Sequence, residues 1–312
     1  MNRSDWIIRR LLQLIPVLIG ISIISFLLVQ LTPGDPARML LGPKASMEAV
    51  EAVRERLGLD QPLAQQYLTY AGNLLRGDLG ESIRYQVPVS DLIRQFLPVT
   101  GFLALYVILL TIPATLLLGV LAARNRGAWI DQTIRLISVL GMTMPVFWLA
   151  ILMLRLFSVD LGLFPVSGFG TGFTGHLHHL FLPAVSIAIW LIPVLVRNLR
   201  AALLEQMGAD YVVASRAKGL PEGYIFNRHI LKNASLPTLN LFGVLVTYLI
   251  GGTVIVELVY AIPGLGTLMF NAILGRDYSV IQGLTLFYAF ATVLITLGTD
   301  LLSSMIDPRV KS

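Results

Sequence analysis

The chain has 312 residues, 55% of them hydrophobic and only 13% charged, with a net charge of +5. A soluble domain uses about 25% charged residues, so much of this surface must face lipid, and the modest positive charge fits orientation-setting Lys and Arg better than a nucleic-acid partner. There are no cysteines, which excludes disulfides and thiolate metal sites.

Six segments without a charged residue, 11–31, 99–123, 136–154, 180–196, 234–256 and 278–299, are read as membrane-spanning helices. About 20 apolar residues cross the hydrocarbon, and a single crossing must satisfy its own backbone hydrogen bonds. The fourth is the shortest. Arg3, Arg9 and Arg10 precede the first, which is too long for a signal peptide and has no small-x-small cleavage site after it; a retained anchor is expected. With the N-terminus inside, the cytoplasmic segments hold 14 Lys and Arg, while the two short outer loops, 157–179 and 257–277, hold only Arg276. Short-loop charge sets orientation, so N-terminus and C-terminus of a multi-pass membrane protein are both expected in the cytoplasm.

The outer segment 32–98 reads as structured. Ser46 can cap a helix running to Leu57, with Gly58 as its stop, and Leu63, Tyr67, Tyr70 and Leu74 make an amphipathic face ending near Arg76–Gly77. It is either a small cap on the outer membrane surface or a platform for an extracytoplasmic partner. The expected division is an anchor with its outer loop, 1–98, and a five-helix core, 99–312.

Several residues inside the spans are candidates for a translocation path. Pro145 should kink the third span, Pro193 lies in the fourth, and Gly251 and Gly252 would let helices approach closely. Glu257 and Asp300 lie near the ends of apolar spans, where an ionisable group is a functional candidate that can also reach water. His176, His178 and His179 cluster before the fourth span; with only Asp160 as acidic company, an interfacial role is preferred to a metal site.

The cytoplasmic loop 198–237 contains the most basic, least hydrophobic stretch of the C-terminal half, 210–237. It should form one helix over about 201–218, stopped by Gly219 with Pro221 beyond, and a second from Pro221–Glu222 to Asn233. On charge alone the loop could be a topology signal. Its exposed corner is Arg216-Ala217-Lys218-Gly219-Leu220; the small residues Ala214, Ser215 and Ala217 allow close approach, and Arg216 and Lys218 supply charge for register.

This stretch resembles the E-A-A-x-x-x-G signature of the membrane subunits of bacterial ABC importers, which is followed later by L-P. Here it reads Val213-Ala214-Ser215, then Gly219, then Leu236-Pro237, with Val213 replacing the glutamate and Ser215 the second alanine. Other motifs stand in the order of the first permease subunit of dipeptide, oligopeptide and nickel importers. These are Leu31-Thr32-Pro33-Gly34-Asp35-Pro36-Ala37, Leu57-Gly58-Leu59-Asp60-Gln61-Pro62, Gly77-Asp78-Leu79-Gly80, Arg216-Ala217-Lys218-Gly219-Leu220, Pro263-Gly264-Leu265-Gly266 and Asp307-Pro308-Arg309. The resemblance covers essentially the whole chain.

It implies an all-α membrane protein with the six-helix type I importer permease fold and a helical extracytoplasmic insertion after the first helix. It also implies pairing with a second, homologous permease, two cytoplasmic ATPases and an extracytoplasmic solute-binding protein. Residues 213–220 would be the coupling helix seated on an ATPase. The chain would bind no cofactor, because it has no phosphate-cradling G-x-x-x-x-G-K-[ST]; ATP and Mg would be used by the partner subunits. The expected cargo is short peptides, with nickel chelates, glutathione or another small solute as alternatives. A secondary transporter or channel would need paired acidic residues at mid-bilayer, and an intramembrane enzyme would need a Ser/His or metal constellation; the spans carry neither pattern.

Overall fold

A computed structural model describes residues 3–31, 46–56, 58 and 60–306. The opening motif at 32–37, Leu57, Leu59 and the Asp307-Pro308-Arg309 motif lie outside the described residues. The described secondary structure is helical, apart from one isolated antiparallel bridge, Glu81 to Pro88. The helices in chain order are α1 Arg3–Leu31, α2 Met47–Arg56, α3 Leu63–Leu75, α4 Val89–Arg124, α5 Trp129–Thr143, α6 Val146–Met153, α7 Gly172–Met207, α8 Asp210–Ala217, α9 Leu231–Val259, α10 Leu265–Gly275 and α11 Tyr278–Ile306. A π-type stretch, Leu154–Asp160, prolongs α6, and a short turn Glu222–Tyr224 with the π-type stretch Ile225–Ile230 leads into α9.

Every charge-free segment but the third lies on one helix, and the helices overrun them. Helices α4 and α7 have 36 residues each, about 54 Å at 1.5 Å per residue, well beyond the roughly 30 Å of hydrocarbon. They carry Pro98, Pro113, Pro183 and Pro193 without stopping, because in a bundle neighbouring groups re-satisfy the freed carbonyls. The short fourth segment is the centre of α7. Most of its apolar window is buried inside this chain, so its length is set by packing as well as by lipid.

The third segment is not one rod. Its two halves, α5 with Trp129 at its start and α6 with its π-type extension, meet at an angle of 100°. Pro145 sits at that break with φ −62° and ψ 134°, directly before α6. A proline ring disfavours the α conformation of the residue before it, and Met144 is accordingly extended.

The chain divides into two compact units, Leu97–Thr267 with Thr292–Ser312, and Asn2–Phe96 with Leu268–Ala291. Leu268–Ala291 thus groups with the N-terminal residues. In the first unit the core draws Leu103 and Val107 from α4, Ala150 from α6, Leu191 and Leu195 from α7, and Leu249 and Val256 from α9. Tyr260 closes it, its hydroxyl donating to the Ala150 carbonyl at 3.0 Å.

In the second unit Ser46 caps α2, its Oγ accepting from the Ala49 amide at 3.2 Å. Tyr67 and Tyr70 of α3 pack on Phe26 of α1 with ring centroids 5.6 and 5.8 Å away. Leu63, expected on the same buried face, is more than half exposed. Asp277 is 1% exposed and accepts from the Ser82 hydroxyl at 2.5 Å and the Arg84 amide at 3.2 Å.

Candidate functional site: the exposed turn helix and its supports

Helix α8 is short because both ends are specified. Helix α7 stops at Met207, where Gly208 takes the cap, and α8 starts at Asp210, an acid in its first turn. This corrects the expected single helix over 201–218: residues 201–207 belong to the long spanning helix, and the turn at Gly208–Ala209 frees α8 from it. At the other end Gly219 adopts φ +74°. Its amide donates to the Arg216 carbonyl at 2.9 Å, and the Leu220 amide reaches back to the Ser215 carbonyl at 3.3 Å. Those two bonds are a Schellman stop with glycine at the left-handed position. Pro221 follows. The second expected helix does begin at Glu222, but it does not end at Asn233; it continues through the π-type turns into α9, with Pro237 inside.

One face of α8 is anchored and the rest is open. Val212 is fully buried among Leu199, Leu203, Ile225, Phe226 and Ile230. The Tyr211 hydroxyl donates to Gln206 Oε1 at 2.8 Å and accepts from Asn233 Nδ2 at 3.3 Å. Arg124, the last residue of α4, lies over the Phe226 ring at 4.1 Å. Against this base, Val213, Ala214, Arg216, Ala217, Lys218, Gly219 and Leu220 are exposed and Ser215 is half-buried. Val213, at the position of the motif's glutamate, is 59% exposed. Arg216 is held within the chain: its Nε and Nη2 donate to the two Glu222 oxygens at 2.6 and 3.2 Å. These bonds and the guanidinium charge hold the Glu222 carboxyl below its ordinary range.

The path candidates are not gathered into one cluster. Pro145 is exposed at the α5–α6 break. Gly251 and Gly252 are exposed, and a Cβ on either would meet no atom of this chain within 4 Å. Asp300 is half-buried in α11. Glu257 is fully buried. It accepts from the Thr100 hydroxyl at 2.8 Å and the Thr267 amide at 2.9 Å, and Thr100 Oγ1 in turn accepts from the Leu265 amide at 2.8 Å. The carboxylate thus caps the first turn of α10, where an anion is favoured. The three histidines each bond separately to a backbone carbonyl: His176 to Phe169 at 2.9 Å, His178 to Leu163 at 3.1 Å and His179 to Gly175 at 2.9 Å.

One support was missed by sequence reasoning. Asp131 is fully buried and takes two bonds from Arg200, Nε at 2.6 Å and Nη2 at 2.7 Å, plus the Gly127 amide at 3.0 Å. It ties the start of α5 to α7. The available signal was its sign, as the only acid in the otherwise basic stretch 124–135.

A family model described as the inner membrane component of binding-protein-dependent transport systems matches residues 115–312, and its N-terminal companion matches 3–104. The chain belongs to this family. It is a non-catalytic, multi-pass permease subunit of an ABC transport system in the inner membrane. The permease is 43% identical over 308 residues, 98% of each chain, to a Brucella abortus protein whose name marks it provisionally as a peptide transport system permease. It is 38% identical over 314 residues, 99% of each chain, to the oligopeptide transport system permease AppB of Bacillus subtilis. To the glutathione transport system permease GsiC of Escherichia coli it is 36% identical over 308 residues, 98% and 99% of the two chains. The solved structure of the inward-facing MetNI methionine ABC transporter aligns with a TM-score of 0.52 at 20% identity, over 67% of the permease and 92% of that chain. That likeness is one of fold, and it matches the expected type I permease architecture.

Proposed function

We propose that this permease passes short peptides inward through a heterodimer with a second, homologous permease, driven by two cytoplasmic ATPases and supplied by an extracytoplasmic binding protein. The observation that carries the docking half of the reading is α8. It is a short helix anchored through Val212, stopped by a left-handed glycine and otherwise open to a partner. Residues 213–220 are its ATPase-facing surface, and the N-terminus and C-terminus share its cytoplasmic side, as the Lys and Arg distribution supports. ATP and Mg act on the partner subunits. The peptide half rests on the names of the relatives; the glutathione relative keeps that tripeptide as the second reading.

Within the bundle, the 100° break at Pro145 and the open glycines at 251–252 are the elements suited to movement, with Asp300 as a polar group on the route. Glu257 braces the moving parts through its cap on α10. Reconstituted with its ATPases and binding protein, the complex should take up labelled dipeptide and hydrolyse ATP faster with loaded binding protein. Equal uptake without the ATPases would overturn the reading, and isothermal titration of the binding protein with dipeptides and glutathione separates the two cargoes.

A further inference from the structure

We propose that the facing sides of α5 and α7 that carry Arg135 and Arg197 form a site for the phosphate headgroup of an anionic phospholipid of the cytoplasmic leaflet. The placement in that leaflet rests on the orientation proposed above. A cavity of about 140 Å³ opens between the two helices, lined by Arg135, Ser138 and Met142 on one side and Val196, Arg197 and Arg200 on the other. Residues 135, 138 and 142 recur at helical spacing on α5, as do 196, 197 and 200 on α7, so both helices turn one mixed face to the cavity.

Three guanidinium groups at one small cavity are costly without an anion. Asp131 neutralises one of them, Arg200, and fixes its plane with two bonds. Those bonds use two of the five N–H donors of a guanidinium, so three remain on a group that can no longer turn away. Arg135 and Arg197 are exposed, and among the described residues neither has an ion pair. Two exposed cations without an ion pair, one pre-oriented guanidinium and the Ser138 hydroxyl suit a phosphate, which guanidinium forks bind with two parallel hydrogen bonds.

The surroundings favour a lipid as the source of that phosphate. Leu136, Ile137, Val139 and Leu140 of α5 are all about half exposed or more, a lipid-facing surface continuous with the cavity wall along which acyl chains can lie. Trp129, 74% exposed at the start of α5, has the amphipathic character of side chains at the headgroup level. Basic pockets between spanning helices on the cytoplasmic side are suited to anionic headgroups. Asp131 is the acid that faces the group; both its oxygens are bonded to Arg200, and it interacts with Arg135 through charge alone.

The test uses the complete transporter in detergent, without ATP or peptide, so that it does not depend on transport. Native mass spectrometry and thermal unfolding are followed on addition of phosphatidylglycerol, phosphatidylcholine or inorganic phosphate. Phosphatidylglycerol alone should be retained and raise the melting temperature. The double variant Arg135→Gln/Arg197→Gln should need about thirtyfold more of it, from about 1 kcal/mol per basic residue near an anionic headgroup, whereas Arg126→Gln/Arg228→Gln, with the same loss of charge elsewhere, should bind as the native chain does. Equal retention of phosphatidylcholine, equal stabilisation by inorganic phosphate, or an unchanged double variant each overturns the proposal. Should the double variant fail to assemble, Ser138→Trp, which fills the cavity and keeps all three arginines, must lose the lipid. Labelling that put this end outside the cell would overturn the cytoplasmic placement while leaving the transport test separate.

Discussion

Gly264 and Gly266 are glycines because a carboxylate occupies the space a side chain would need. A Cβ at residue 264 would lie 2.5 Å from Glu257 Cδ, and one at 266 would lie 2.8 Å from Glu257 Oε2 and 2.7 Å from the Val254 backbone. The Pro263-Gly264-Leu265-Gly266 motif and Glu257 are therefore one unit. Glu257→Ala strips the acceptor from the buried Thr100 hydroxyl and Thr267 amide, each worth about 1–3 kcal/mol when orphaned; a loss of about 2–4 kcal/mol is expected in thermal unfolding, and Gly266→Ala should be destabilising as well. If Glu257→Ala unfolds like the native chain, the carboxylate is no brace. Gly219 is a different case, since a Cβ there meets nothing within 4 Å and only its φ of +74° demands glycine. Gly219→Val should misdirect the turn, cost about 1–2 kcal/mol of local strain and uncouple ATPase from uptake with insertion intact, whereas Gly219→Asn, which tolerates that φ, should keep most coupling. Unchanged uptake in Gly219→Val would remove the docking role.

At the scale of elements, Asp131 and Arg200 hold α5 to α7, and with α5 the half of the third span that precedes its break. Removing one partner of a buried pair costs about 3–5 kcal/mol, whereas replacing both with apolar groups is often near neutral. Asp131→Ala should therefore be strongly destabilising and Asp131→Leu/Arg200→Met much less so, a contrast that a double-mutant cycle on thermal unfolding measures directly. Additive losses would show that the pair does not act as a clamp. The pair at the end of α8 is of another kind, because Arg216 and Glu222 are both solvent-exposed and are better read as fixing the angle of the turn than as stabilising the fold. The Glu222 carboxyl is held low, so its link to Arg216 is present above the ordinary carboxylate range and lost only as pH falls through the depressed value. Coupling measured between about pH 8 and pH 5 should show no step due to Glu222; a step in that interval abolished by Glu222→Gln would mean the pair opens there. With Arg216 so engaged, the exposed side chains of this turn not held within the chain are Val213, Ala214, Ala217, Lys218 and Leu220.

At the scale of the whole molecule, the absence of cysteine gives a background-free test of orientation. Lys218→Cys should react with an impermeant maleimide in inside-out vesicles and Asp60→Cys in intact cells; the reverse pattern would invert the topology. The position of the apolar segments, the family and the boundary at Gly219 were legible in the sequence, since each is written in a run of neighbouring residues: an apolar stretch, a charge-free interval, a glycine followed by proline. The 100° bend at Pro145 was legible only as a kink, because how far a proline bends a helix depends on what packs beside it. The division of labour between Val212 and Val213 was not legible at all, as two adjacent valines carry the same local signal and only the packing of Leu199 and Phe226 against one of them separates buried anchor from open surface. Sequence by itself determined that this chain crosses a membrane and which family it joins, because hydropathy and motif order are properties along the chain. Tertiary structure alone decided that Glu257 is a cap and Asp131 a clamp, because their partners, Thr100 and Arg200, stand 157 and 69 residues away, and a hydrogen bond is made by proximity in space.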